Sequence, residues 1–481
     1  MYTGQIWKLH DDAALKRIDG AARRLLIKTG CRIQHEGLLA KLEAAACRID
    51  AAGQRCHFTE KLIDTALAHL GGRRNDTVEI PTGWNPQRRL VLSGSYPHLL
   101  DWPSGERRLA TRRDVRDIAR MGHVLDEFAT VGRVLTCAEV DPRVEPLWST
   151  LALAETTDKP IGGGEIFFAD YIEPLIRMGE VLTGKPGESS LVASCDFFIA
   201  PLFLERKQAA CFLEKRRFGI ANVPGTMPIS GASAPVTLAG TAAIAVAELI
   251  AGWVLGYVVN PDLPAGGIVS SGSLDMRTVT TLFGSPEALL QDVTVVQLCR
   301  RLYGIPVSAA TSYVDCKRPG LEAVFQKMFP LVSSAFGTGL RVEATGLLSA
   351  GQDYSPVQHL LDAEILEATE RFAGGFEVND DTLALDLIER TIRDGKVNFV
   401  DKEHTLEHFR AEQWYPRWFD RTFWQGTERE LASELDMLER MDRRVKDAIA
   451  RYERPAIDAA KINELKSILA AFERGLEARR Q

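Results

Sequence analysis

Gly304-Ile-Pro-Val-Ser-Ala-Ala-Thr-Ser-Tyr-Val-Asp-Cys-Lys317, followed after a helical stretch by Gly339-Leu-Arg-Val-Glu343, decides how this chain is read. Each run is a short apolar strand that opens into small and polar residues. A strand of a parallel barrel does this where its carboxyl end meets the active-site rim. Two successive rims offer Ser312, Tyr313, Asp315 and Glu343, a set suited to a small cationic organic molecule.

The same pattern extends upstream. Strand-like runs at Val131–Thr136, Lys159–Ile161, Ser190–Ser194, Phe218–Asn222 and Ala265–Ser270 alternate with helical periodicity at 146–157, 171–182, 204–215, 236–259 and 286–302. Pro306–Ala309 and Leu340–Glu343 add two more strands, with helices over 321–336 and 357–372. Strands alternating with helices at this interval predict a parallel sheet. Seven units are visible where a closed (β/α)8 barrel needs eight. The missing strand falls at Leu90–Ser93 or within 345–350. The expected fold is therefore α/β, a TIM barrel over 126–424. A mainly helical region with one hairpin precedes it over 1–125, and a helical extension follows over 425–481. The hairpin is expected to join Arg89–Gly94 to Arg107–Leu109, with Thr111 capping the next helix. In the extension, Leu431, Leu435, Leu438, Met441, Val445 and Ile449 recur at helical spacing. This pair of helices would pack on the barrel or on another subunit, and a homo-oligomer is expected.

Composition narrows the function. The chain has 481 residues, 45% of them apolar, and a formal charge of −7. That charge argues against a nucleic-acid partner, which calls for a basic face. The eight cysteines form no C-x-x-C pair, and no His/Cys spacing resembles a zinc site. With no basic-then-apolar leader at the start, a cytoplasmic location is expected. Val236–Val259 is almost continuously apolar but carries Glu248 at its middle. A charge there is costly in a bilayer, so the segment reads as a buried helix and no membrane contact is expected.

Aromatic residues beside carboxylates mark the rims. Glu165 follows three glycines, with Phe167, Phe168 and Tyr171 beyond it. Asp196-Phe197-Phe198 follows the next strand. A quaternary ammonium cannot donate hydrogen bonds and is held by ring faces and negative charge. Cover for the barrel ends is the plainer role for these rings. Tyr96, His98 and Trp102 suit a lid or a core equally. His404 and His408 share a helix face and read as structural. No G-x-S-x-G elbow and no evident Cys–His pair supplies a nucleophile, so the attacking group would come from a cofactor or second substrate.

Several blocks, in one order over about residues 20–425, resemble the trimethylamine methyltransferase family. They are Met227–Thr241, Asp275-Met-Arg-Thr278, Phe283-Gly-Ser-Pro-Glu287, Asp315-x-Lys317, Gln358-His-Leu-Leu-Asp362, and His404–Arg410 with Asp420-Arg421. The resemblance implies a (β/α)8 barrel that moves a methyl group from an amine to the Co(I) of a corrinoid. That corrinoid, a cobalamin, belongs to a separate small cobalamin-binding protein, and no cofactor would be tightly bound by the chain itself. Members that use methylamines carry pyrrolysine three residues before the Asp of Asp-x-Lys; Ser312 stands there, as in the non-pyrrolysine branch. The family's usual Tyr or His falls on Glu343, and its Gln-Ala-Gly-aromatic-Glu run reads Glu322-Ala-Val-Phe-Gln326. These departures point away from glycine betaine. Ser312, Asp315 and Glu343 are the expected catalytic residues. Glu165, Phe167, Phe197 and Tyr313 are expected to bind the substrate, with no metal site. The rival readings are a non-catalytic onium-binding barrel and a lyase or aldolase barrel using Lys317.

Overall fold

Seven short parallel strands follow one another in chain order and divide into two hydrogen-bonded ladders. The computed structural model describes residues 7–72, 90–310, 313–339, 345–395, 398–421, 423 and 434–480. The first ladder pairs Leu90–Leu92 with Phe128–Gly132, and that strand with Ile161–Gly162. The second runs Asp196–Phe197, Pro224–Thr226, Ile268–Val269 and Ser308–Ala309. Each strand leads to a helix. These are Arg112–Val124, Glu145–Ala154, Ile172–Thr183, Arg206–Arg217, Leu238–Val259, Pro286–Leu298 and Leu321–Thr338. An eighth helix, Pro356–Gly374, follows. The fold is mixed α/β. The strand expected at Leu340–Glu343 lies outside the described residues.

The expected hairpin has a different partner. Arg107–Leu109 pairs antiparallel with His98–Leu100, while Leu90–Leu92 pairs in parallel with Phe128–Gly132. The sheet thus begins upstream of residue 126. The burial pattern explains the choice: Leu90 and Leu92 are buried, and Leu92 and Val131 lie against Gly122 of the following helix. Two other strands form later than the apolar runs suggested. Ser190–Val192 is a 3-10 turn and the strand is Asp196–Phe197; Phe218–Asn222 gives way to Pro224–Thr226. In both, the apolar residues pack between helix and sheet, and the strand is the smaller, mixed run that reaches the rim.

The first 72 residues hold helices at Asp12–Arg24, Glu36–Ala44 and Glu60–Gly72. They also hold an antiparallel sheet, Cys31–Ile33, Arg55–His57 and Arg48–Asp50, which sequence reading missed because each strand has three residues. Their apolar faces share a core with Leu238–Val259. That helix is long and apolar enough to cross a membrane, yet Thr241–Gly256 is buried throughout. Its small residues permit close packing, as at Gly252, where an added Cβ would sit 2.4 Å from Pro224. The helices Glu434–Ala450 and Ala459–Arg480 contribute Met441, Val445, Leu465 and Phe472 to the core of the first ladder. Thr111 caps Arg112–Val124 in a reciprocal capping box with Asp114.

Glu248, in the middle of the apolar helix, is fully buried. It accepts a hydrogen bond from the Leu202 amide at 2.8 Å and one from the Thr226 hydroxyl at 2.5 Å. Burial pushes its pKa up to about 7, against the opposing pull of those two donors. Between the ordinary carboxylate value of 4.5 and about 7, the folded state keeps a proton that the unfolded chain releases. Stability therefore falls as pH rises through that window. Glu248→Gln keeps both hydrogen-bond positions and removes the titration. Urea unfolding from about pH 5 to about pH 7 should show a shallower decline for the variant, by a few kcal/mol or less. An unchanged slope would show that Glu248 does not bind this proton.

Candidate active site

Side chains alternate along a strand, and this sorts the second ladder into two faces. Asp196 points to the helix layer, where Lys215 and Arg216 hold its carboxylate in a fully buried ion cluster. Thr226 points the same way, to Glu248. Cys195 and Phe197 therefore face the interior, as does Gly225, which is paired with Phe197. A Cβ on Gly225 would sit 2.8 Å from the Phe197 ring, so the glycine makes room for the aromatic face. In the first ladder, Gly132 and Gly162 pair and face inward together.

Glu165 lies just beyond that glycine pair. Gly163 packs on the Leu191 carbonyl, where a Cβ would come within 2.6 Å, and Gly164 sits against Ser95 and Arg133. The glycine run is thus a close-approach segment that delivers Glu165. The Glu165 residue is open to solvent, while protein surrounds its carboxylate closely enough to desolvate it. Burial raises the Glu165 pKa, Lys215 and Arg133 oppose the rise, and Asp196 adds to it. Among the described residues, no cation lies within ion-pair distance of Glu165. Tyr96 and Tyr313 have phenols pushed upward, first by burial and also by the Glu165 charge. Cys195 is pushed up to about 12 by burial, with Glu165 next in order. Tyr96, Tyr313 and Cys195 thus lie close enough to Glu165 to feel its charge.

The sequence-predicted residues divide. Glu165 and Tyr313 come together, and Phe197 faces the same interior. Phe167 is 57% exposed at the rim, its amide donating to the Tyr171 hydroxyl at 2.6 Å. Asp315 accepts hydrogen bonds from the amides of Phe283 and Gly284, at 2.9 and 3.0 Å, one on each carboxylate oxygen. Gln326 in turn accepts from the amides of Asp315 and Cys316. Asp315 thereby fixes the Phe283 loop, and Phe283 lies 5.2 Å from the Tyr313 ring. Sequence reading had Asp315 supply charge to the site; in the structure each of its carboxylate oxygens accepts from a backbone amide. Gln326, where the family pattern has Glu, supports Asp315 through these two amides. Ser312 and Glu343 lie outside the described residues.

Other expectations resolve more simply. Lys317 is exposed at the surface. His404 and His408 stack at 4.2 Å, and both meet Asp381. In the Met227–Thr241 loop, Ser233 and Thr241 hydrogen-bond to the loop's own backbone.

Tyr96, Arg133 and Cys195 were not among the predicted site residues. Tyr96, which sequence reading left as lid or core, follows the strand Leu90–Leu92. Its hydroxyl donates to Thr345 at 3.2 Å. Arg133 directly follows the inward Gly132; it is 4% exposed, donates to the Glu165 carbonyl and faces Glu145 at 3.9 Å. The position of Arg133, one residue past a strand end, was the available signal.

Glu165, Tyr96, Tyr313 and Arg133 thus gather near the carboxyl ends of the parallel strands. Residues 3–475 match the family described as Trimethylamine methyltransferase (MTTB), and the chain belongs to that family of enzymes. It is 25% identical over 419 residues to Trimethylamine methyltransferase MttB of Desulfitobacterium hafniense, covering 83% of this chain and 82% of that one. It is 23% identical over 492 residues to a Glycine betaine methyltransferase of the same species, covering 98% and 96%. Among solved structures it is similar to the Methanosarcina barkeri Monomethylamine Methyltransferase (MtmB), at 11% identity and a TM-score of 0.45, over 95% and 97% of the two chains.

Asp315→Asn should loosen the Phe283 loop, because an amide NH2 would replace one of the two acceptors and face a backbone N–H. Hydrogen bonds to charged groups contribute about 1.5–3 kcal/mol each. Chemical denaturation should show a loss of about 1–3 kcal/mol, and hydrogen exchange at Phe283 and Gly284 should accelerate. Unchanged exchange there would refute the loop-anchoring role.

Proposed function

We propose that this chain transfers a methyl group from a quaternary ammonium or related onium compound to the Co(I) of a corrinoid carried by a separate small protein. The observation that carries the reading is Glu165, at the end of a glycine run beyond the Gly132–Gly162 strand pair, whose charge is felt by the phenols of Tyr96 and Tyr313. Ring faces and one negative charge attract a cation that has no N–H to donate. Ser312, at the place of pyrrolysine in methylamine-using relatives, is consistent with such a donor.

The fold proposed for this chemistry is a closed (β/α)8 barrel. The Tyr96–Thr345 hydrogen bond supports closure, because it joins the segment after the first strand to the segment between the helices Leu321–Thr338 and Pro356–Gly374. So does the parallel pairing of Asp353–Tyr354 with His98–Leu99.

The methyl acceptor comes from outside the chain. Cys195 is the thiol nearest the pocket, and a thiol pushed up to about 12 is no nucleophile at neutral pH. The corrinoid supplies that nucleophile when its carrier docks. The mouth is suited to docking: Phe167, Ile199, Val236, Met276 and Val279 are exposed, and they stand on four successive loops at the carboxyl ends of the strands. The chain's own part is to desolvate the cation, hold its methyl toward the mouth, and release a neutral amine.

Glu165 would also repel a substrate carboxylate placed close to the nitrogen. Two unit charges about 4 Å apart interact by about 4 kcal/mol at an effective dielectric near 20. Carboxylate-free onium compounds, or betaines with a distant carboxylate, should therefore outrank glycine betaine. Purified enzyme given Co(I) cobalamin should consume the Co(I) absorbance with choline-like compounds and leave it unchanged with trimethylamine. Turnover of trimethylamine with none of any onium compound would refute the reading. Glu165→Gln should raise KM about tenfold or more, equivalent to about 1.4 kcal/mol. Because its pKa is raised, wild-type affinity should weaken on acidification at a pH above the ordinary carboxylate range, and the variant should lack that dependence. Identical pH profiles would exclude Glu165 as the cation's partner.

A further inference from the structure

Two half-buried aromatic rings, Tyr313 and Phe283, belong to none of the apolar cores formed by the described residues. Val314 and Cys316 enter a small core with Leu100 and Leu348, and the Tyr313 ring does not join it. Backbone holds both rings in place. Ser349, Ala350 and Gly351 are three consecutive residues with φ of 51°, 52° and 92°. Two of them carry side chains, which disfavour this left-handed region. The amides of Ser349 and Ala350 donate to the carbonyls of Cys316 and Val314, at 2.9 and 2.7 Å. The turn pinned in this way sets Gly351 against Tyr313, where a Cβ would sit 2.8 Å from the ring. For the other ring, Asp315 holds the amides of Phe283 and Gly284. A Cβ on Gly284 would lie 3.2 Å from both the Asp315 carboxylate and Gln326, so the glycine permits that anchor.

We propose that Phe283 determines specificity for the methyl donor: with Tyr313 it forms an aromatic wedge that takes the fully substituted head of an onium compound. Four observations support the wedge. First, the ring centroids stand 5.2 Å apart with the planes tilted by 41°. Ring quadrupoles favour an offset parallel stack or an edge-to-face pair, and this angle is neither. Two rings placed for each other adopt one of those arrangements; these two stand open as a V. Second, the Asp315 anchor is made to backbone amides. Any side chain at position 283 would keep it, so the loop does not need the ring. Third, the left-handed turn behind Tyr313 is strained, and strain of this kind clusters at ligand clamps, held by the structure around it. Fourth, the Glu165 charge reaches the Tyr313 phenol. A cation in the wedge would meet two ring faces with a carboxylate nearby, which is what a group without N–H donors requires. This role rests on the onium reading above, and adds to it the face that separates a cation from a neutral molecule of the same shape.

Calorimetric titration of choline, and of its uncharged isostere with carbon in place of nitrogen, tests this on the wild type, Phe283→Leu and Phe283→Tyr. Leucine keeps apolar bulk and removes the ring face; tyrosine keeps the face. The backbone anchor survives in both, so circular dichroism and hydrogen exchange at Gly284 should match the wild type. The expected result is about tenfold weaker choline binding by Phe283→Leu, with binding of the isostere unchanged, and wild-type affinity for choline in Phe283→Tyr. A Phe283→Leu variant that binds choline as the wild type does overturns the role of Phe283 and leaves the onium reading standing. So does one that loses both ligands equally, because the ring would then serve shape alone, and so does a Phe283→Tyr variant as weak as Phe283→Leu. A wild type with no preference for choline over the isostere overturns the role and the onium reading together.

Discussion

The buried ion cluster of Asp196 with Lys215 and Arg216 sets the direction of everything around it. A carboxylate with almost no exposure is tolerable only because two cations meet it, and both come from the helix behind the strand. That fixes Asp196 outward. Alternation then turns Cys195 and Phe197 inward, and Phe197 needs the missing Cβ of Gly225 to lie flat. Two cations against one carboxylate leave a local positive surplus. Lys215 passes part of it to Glu165, opposing the desolvation that raises its pKa. The same cluster therefore anchors helix to sheet and keeps the interior carboxylate chargeable.

A second layer of support holds the aromatic wall. Asp315 ties the Phe283 loop through two amides, Gln326 ties Asp315, and Tyr313 lies against both Phe283 and Gly351. On the opposite side Tyr96 stacks on Tyr354 at 6.2 Å and hydrogen-bonds to Thr345. Asp362 accepts from the Gly346 amide and pairs with Lys327, all of it buried. Polar groups in the core thus act at a distance from the pocket, by fixing loops whose tips carry the rings.

Much of this was legible in the sequence. The helices were, because each buries a wide apolar face over many residues. Strands of two or three residues carry too little periodicity to be placed, which is why Asp196–Phe197 and Pro224–Thr226 were read several residues early. Glu165 and Tyr313 stood out as polar groups at strand ends. Asp315 stood out too, but a sequence cannot show that both its oxygens meet backbone amides 31 and 32 residues away. Leu90–Ser93 was read both as a hairpin arm and as a candidate for the missing barrel strand, and its parallel pairing with Phe128–Gly132 decides for the second; Tyr96, just after it, was read as lid or core alike.

The central claim is that an interior carboxylate with aromatic walls selects positive charge. Calorimetric titration with a quaternary ammonium and with its neutral isostere, carbon replacing nitrogen, isolates that term at constant shape. The account predicts binding of the cation and at least about tenfold weaker binding of the isostere, since cation–π attraction of a desolvated ligand contributes about 2 kcal/mol before the carboxylate is counted. Equal affinity for the two would contradict it.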